Sequence, residues 1–388
     1  MFESSTNIEY LKTLAFNYRW ATVPDGVIPL TAADSDMPVA PVITEAITAF
    51  AAKRYFPYAP PAGYGFFKES LARYYHEKYQ ATINPDWAFP TDSAAAAIQI
   101  ACKSLLQPGN TAIILNPVDF LFKINIEAVG AKAVCWDIHD DPEAPLNWEA
   151  LDSLYSSNCK LLCLCNPLNP TGRLFSQTEL LRLFTWAHEK GIAVLSDEIW
   201  ADITYGGSDF FTVARLPLQL VQRTYLISGY SKSFNLAGLR VGYIVAFSEA
   251  MAQKALLVSE HQSTVHGCNA LGQVAAAAAM DEAKEWQLGY IAHLQEVRNI
   301  FHKGINACAG MSCFLSPSTF VLWVDVRESG RTAEQIQTYL LEQAKVAVVP
   351  GLPSFFGSGA DGHIRISYST SVPMAEEAIH RIQNAMQL

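Results

Sequence analysis

Five short, mostly apolar runs punctuate the middle of this 388-residue chain, at 111–115, 133–136, 160–165, 192–195 and 224–227. Each is too short to be a buried helix, and helical patterns at 94–106, at 178–190 and from Leu236 onward separate them. Strands that are apolar throughout must be covered on both faces. Alternation with helices therefore predicts an α/β fold, a mainly parallel sheet sandwiched between helices.

The chain is too long for one ordinary core. After Ser248 a helical region runs to about Cys308, passing through 274–280 and 285–302. A second mixed unit follows, with strands at 319–325, 346–349 and 363–368 and helices at 332–343 and 374–387. This pattern predicts a smaller α+β C-terminal domain at 286–388. A large domain would occupy 46–285, and residues 1–45 would cross over to join the small one.

Bulk properties remove several functions. The net charge is −10 and no Lys/Arg-rich run is present, which argues against a nucleic-acid surface. No apolar stretch is long and uninterrupted enough to span a bilayer. The N-terminus has an early acid and no basic start before an apolar block, so no secretory signal is read. Eight cysteines lie without paired spacing, and Cys163 and Cys165 read as packing residues on a strand. These features point to reduced thiols and a cytoplasmic protein.

Ligands of open parallel sheets sit beyond the C-terminal strand ends. Three of the apolar runs end in polar residues: NPLNPTG at 166–172, SDE at 196–198, and SGYSK at 228–232. Lys232 follows an apolar run and has small and hydroxyl neighbours. A poorly hydrated amine there loses its proton readily and becomes a nucleophile toward an aldehyde. Arg240 is suited to hold a phosphate through two hydrogen bonds. The pair points to a lysine carrying an aldehyde cofactor with a phosphate tail, pyridoxal 5'-phosphate.

The other polar residues fit that cofactor. Asp197 would be costly to keep charged after a buried strand, and a protonated pyridine nitrogen would stabilise it. Glu198 is expected to face outward. Asn169, in a turn set by two prolines and a glycine, could donate to a phenolic oxygen. Ser93 is a plausible N-cap, and the helix opening there would bind phosphate. Arg365, inside a strand-like run, needs an anion partner such as a substrate α-carboxylate. The GSGADG segment at 357–362 matches a dinucleotide-binding pattern but precedes a strand, so it fails the context that pattern requires.

The blocks NPLNPTGR, SDEIW, SKSFNLAGLR and HIRISYS, in that order, resemble those of fold-type I pyridoxal-phosphate enzymes, specifically the class I/II aminotransferase family. The resemblance covers nearly the whole chain and implies an aspartate-aminotransferase-like fold. It implies that Lys232 forms the Schiff base and shuttles the proton, that Asp197 holds the pyridine nitrogen, and that Asn169 holds the ring hydroxyl. Arg240, Ser231 and the amides at Ser93, Ala94 and Ala95 would hold the phosphate, and Arg365 the substrate carboxylate. Tyr58 resembles the tyrosine that reaches the neighbouring subunit's phosphate, which implies a homodimer with shared sites.

DEIWADI, SKSFNLAGL and PLTAADSDMPVAP also resemble the branch of cystathionine β-lyases and related C–S lyases. The chain departs from the family in three places. Trp200, counted with the cofactor shell, stands where that branch has His and general aminotransferases have Tyr. Gly229 replaces a frequent serine, leaving Ser228 or Ser231 to compensate. Asp119 stands where a ring-stacking aromatic is expected, with Phe120 or Phe122 as substitutes. The resemblance favours transfer between an α-amino acid and a 2-oxo acid. The alternative is β-elimination to pyruvate, ammonia and a thiol, and a third class is a regulatory or binding protein without turnover.

Overall fold

The computed structural model describes residues 2–387. Strands β1 (Ile28–Pro29), β2 (Ala88–Thr91), β3 (Thr111–Asn116), β4 (Lys132–Asp137), β5 (Cys159–Cys165) and β6 (Ala193–Asp197) lead into β7 (Thr224–Gly229) and β8 (Gly242–Ala246). Strands β9 (Val321–Asp325), β10 (Val346–Ala347), β11 (Val349–Pro350) and β12 (His363–Ser367) lie in the C-terminal part.

A seven-stranded sheet runs in the order β2-β8-β7-β6-β5-β3-β4. From β4 to β7 every neighbouring pair is parallel. Leu161, Leu162 and Leu195 inside it are wholly buried. Each is worth roughly 1.5–3 kcal/mol against its exposed state. The C-terminal ends of β3, β5, β6 and β7 and the loops that leave them therefore share one rigid edge, which carries Asp119, Asn169, Asp197 and Lys232.

The far side of the sheet differs from expectation. The stretch from Leu236 onward is not a helix. A single 3-10 turn, Ala237–Leu239, ends at Arg240 in the left-handed region (φ 51), and β8 follows. The β-branched and aromatic residues after Arg240 favour a strand. That strand runs antiparallel to both β7 and β2. β2 contains Pro90, which its edge position allows. Gly242 of β8 lies against the start of the helix Ala94–Leu105. A Cβ there would come within 2.5 Å of the Ala94 nitrogen and closer still to the Ser93 carbonyl carbon.

The helical region after Ser248 is three helices, Glu249–Val258, Ala270–Glu282 and Lys284–Ile305. Beyond it β11, β12 and β9 form an antiparallel sheet in which Arg365 pairs with Val349 on one side and Trp323 on the other. The N-terminal part joins this region, since β1 pairs in parallel with β10 through Ile28 and Val346. Among the described residues, no helix is long and apolar enough to cross a membrane.

Candidate active site

A cavity of about 320 Å³ opens at the C-terminal edge of the parallel strands. Its wall includes Lys232, Asp197, Asn169, Trp200, Ser231, Arg240 and Arg365, together with Ser93, Ala94 and Ala95. Residues from four strand ends, one helix start and the C-terminal sheet thus meet in one place. Tyr58 is not among them. It is 85% exposed, with its ring 5.2 Å from that of His266.

Lys232 is half-buried just beyond β7. Its Nζ donates to the Ala33 carbonyl and lies 5.4 Å from the centroid of the Trp200 ring. Burial holds its pKa below the usual lysine range. Asp34 opposes that effect, Arg365 adds to it, and Asp119 and Asp197 oppose it. Ala33 belongs to the N-terminal segment, and Asn235 fixes the same segment by donating to the Met37 carbonyl at 3.2 Å. No local pattern in the sequence marked Ala33 as a wall of the site, because its role comes from chain crossover alone.

Asp197, the last residue of β6, is 6% exposed. Its Oδ1 accepts from the Ile199 N–H at 3.0 Å. Burial pushes its carboxyl up to about 7, against the lowering effect of that N–H. A carboxyl held this way gains from a cation placed in the cavity.

Glu198 does not face outward. It is fully buried and accepts from Thr212 Oγ1 at 2.7 Å, the Val213 N–H at 2.9 Å and Ser196 Oγ at 3.4 Å. Burial pushes it up to about 8. The chain turns sharply after β6, which points the two successive carboxyls to different buried surroundings. Glu198 pins the 212–213 loop.

The far end of the cavity is built for an anion. Ser93 caps the helix Ala94–Leu105 by accepting from the Ala96 N–H at 3.0 Å. The N–H groups of Ala94 and Ala95 belong to the first turn and have no intrahelical acceptors. Ser231 and the exposed Arg240 line the same cavity. A serine in place of Gly229 would be tight, because its Cβ would lie 3.0 Å from both the Gly242 Cα and the Val241 carbonyl oxygen and the backbone would have to give by a few tenths of an ångström. Ser228 does not replace the missing hydroxyl, since it is turned away and donates to the Glu198 carbonyl at 3.0 Å. Ser231 is the hydroxyl that lines the cavity.

Trp200 is 2% exposed and packs edge-on against Phe320 at 4.7 Å. Of the two candidate stacking rings, Phe122 lines the cavity, whereas Phe120 is exposed and packs near Phe355. Asp119 itself lines the cavity. Its Oδ1 accepts from the Leu121 N–H at 3.2 Å and its Oδ2 from Asn169 Nδ2 at 3.1 Å.

Asn169 Oδ1 in turn accepts from Arg365 Nη1 at 3.3 Å. A carboxylate at one end and a guanidinium at the other fix which way the amide points. Arg365 is 7% exposed; it also donates to the Thr31 carbonyl at 3.1 Å, and its Nε is buried without a partner. None of Lys232, Arg240, Arg365, Asp119 or Asp197 takes part in an ion pair among the described residues. The cavity thus holds unpaired charges of both signs on fixed supports.

The geometry fits a flat cationic ring carrying a phosphate. Asp197 would meet the ring nitrogen, the helix start with Arg240 and Ser231 would meet the phosphate, and Lys232 lines the same cavity. Comparison with known proteins agrees. The family model for aminotransferase class I and II matches residues 25–382. YugH of Bacillus subtilis (strain 168), provisionally named an aminotransferase, is 31% identical over 94% of this chain and 92% of its own. An aspartate aminotransferase of the same organism is 26% identical over 93% of this chain and 91% of its own. The crystal structure of cystalysin from Treponema denticola shares the fold, with a TM-score of 0.91 and 21% identity over 100% of this chain and 99% of that one. This chain is therefore a member of the aminotransferase class I and II family, a pyridoxal-phosphate-dependent aminotransferase.

Proposed function

We propose that the enzyme moves the amino group of an α-amino acid to a 2-oxo acid, with Lys232 as cofactor anchor and proton carrier. The observation that carries this reading is the convergence of Lys232, Asp197, Asn169, Arg240 and Arg365 on one cavity. Bound there, pyridoxal 5'-phosphate supplies an aldehyde that takes up amines and a ring that draws electrons from Cα.

Each residue then has a defined task. Lys232 Nζ, its pKa lowered by burial, would be the amine that anchors the cofactor through its aldehyde. The same Nζ would be the base that takes up and hands back the Cα proton. Asp197 would hold the ring nitrogen in its protonated form, and Asn169 would donate its second N–H to the ring oxygen. Arg365 holds the α-carboxylate through its free donors, which orients the Cα–H bond toward Lys232. Arg240, Ser231 and the amides of Ala94 and Ala95 hold the phosphate.

A homodimer belongs to the same proposal. Tyr55, Phe56 and Tyr58 are 79%, 62% and 85% exposed within four residues of sequence, a patch suited to burial against a second copy. Tyr58 would then reach the partner's phosphate end. All eight cysteines are free, which supports a reducing, cytoplasmic setting.

The test is spectroscopic. Protein supplied with pyridoxal 5'-phosphate should absorb in the visible, and Lys232→Ala should lose the lysine-linked band. Wild-type protein that stays colourless with added cofactor would refute the reading.

A further inference from the structure

We propose that Asp119 sets substrate specificity and that the amino donor carries a cationic side chain, an ammonium or a guanidinium. The inference rests on the reading above, that the cavity handles α-amino acids.

The first support is a balance of charges. Arg365 would be matched by a substrate carboxylate, Arg240 by the phosphate and Asp197 by the ring nitrogen, while Lys232 would be committed to the cofactor aldehyde. Two lining carboxylates are left over: Asp92, exposed beside the helix start that would meet the phosphate, and Asp119. Asp119 is the half-buried one, and both of its hydrogen bonds come from neutral donors, the Leu121 N–H and Asn169 Nδ2. A half-buried carboxylate served only by neutral donors gains most from a cation brought by the ligand.

The second support is position. Each oxygen of Asp119 uses one lone pair on those bonds and keeps another. A single residue, Asn169, links Asp119 to Arg365. A molecule whose carboxylate sits on Arg365 can therefore place a cation on Asp119 within the same cavity. The two hydrogen bonds also fix the carboxylate in advance, which lowers the ordering cost of such a contact.

Holoenzyme should be compared on matched pairs of donors, lysine against norleucine and ornithine against norvaline, as ratios of kcat/KM. In parallel, calorimetry should compare 6-aminohexanoate with hexanoate, which lack the reacting α-amine and report binding alone. A charge-assisted hydrogen bond predicts about 10- to 100-fold preference for the cationic member in both measurements. Asp119→Asn keeps the shape and should bring both ratios close to one. A coloured wild-type holoenzyme that shows no cationic preference overturns this inference and leaves the aminotransferase reading standing. A preference that persists in Asp119→Asn overturns the assignment to Asp119. Protein that takes up no cofactor overturns the underlying reading, and this inference with it.

Discussion

Asn169 and Arg365 lie 196 residues apart in the chain, yet Arg365 Nη1 donates to Asn169 Oδ1 at 3.3 Å. The first hangs from the end of β5 and the second stands in β12, so the amide ties the C-terminal sheet to the edge of the large one. The amide's other end is held by Asp119. Arg365 is aimed by a neutral group rather than neutralised by an acid, which leaves its charge available to a substrate.

Removing that support has a directional consequence. Asn169→Ala leaves the buried guanidinium with one acceptor, the Thr31 carbonyl. Loss of a hydrogen bond to a charged group predicts a drop in kcat/KM of about 10- to 100-fold, with KM for the amino acid rising. Steady-state kinetics on the variant check this, and an unchanged KM would contradict it.

Cofactor removal should expose a pH-dependent weakness. Asp197 is pushed up to about 7 in the fold, against about 4 unfolded. A carboxyl with a raised folded pKa favours the fold while protonated. That contribution is complete below about pH 4 and is lost as pH rises through about 7, at a cost on the order of 4 kcal/mol. Glu198, pushed up to about 8, acts with the same sign. Apo-protein should therefore melt at lower temperature at pH 8 than at pH 5. Bound cofactor should reduce the difference by giving Asp197 a cationic partner. Asp197→Asn should flatten part of the apo-protein's fall, and Glu198 should keep the remainder. Thermal melts of both forms at the two pH values decide.

Gly242→Ala should damage the anion-binding end selectively. The new methyl would press on the Ser93–Ala94 backbone, which starts the helix and cannot yield as a side chain tip can. Overpacking of this kind costs about 1–3 kcal/mol. The melting temperature should fall by several degrees. Affinity for pyridoxal 5'-phosphate should fall further than affinity for pyridoxal, which lacks the phosphate. Equal losses for the two compounds would contradict the assignment of this end to phosphate.

Much of the fold was legible because all five apolar runs form adjacent parallel strands, and three of them lead into the polar segments 166–172, 196–198 and 228–232. β8 was not, since its apolar run follows a segment in which Leu236, Ala237 and Leu239 favour a helix, and short apolar runs do not distinguish helix from strand. Pro90 hid β2, because only the sheet order reveals that it lies at an edge. Lys232, Asp197, Asn169 and Arg365 were visible as polar residues at the ends of, or within, apolar strands. The bond from Asn169 to Asp119 was not, nor was the cover supplied by Ala33, because both depend on how distant segments cross. Burial of Glu198 likewise follows from the turn after β6 and from Thr212, fourteen positions away.

The most direct test follows the nitrogen. Holoenzyme should be incubated with nitrogen-15 α-amino acids, including lysine and ornithine, and an unlabelled 2-oxo acid. Amino transfer predicts label in the amino acid formed from that 2-oxo acid, with an equal amount of new 2-oxo acid from the donor, and no such transfer by Lys232→Ala. Given cystathionine, release of the label as ammonia together with pyruvate, and no labelled product amino acid, would contradict it.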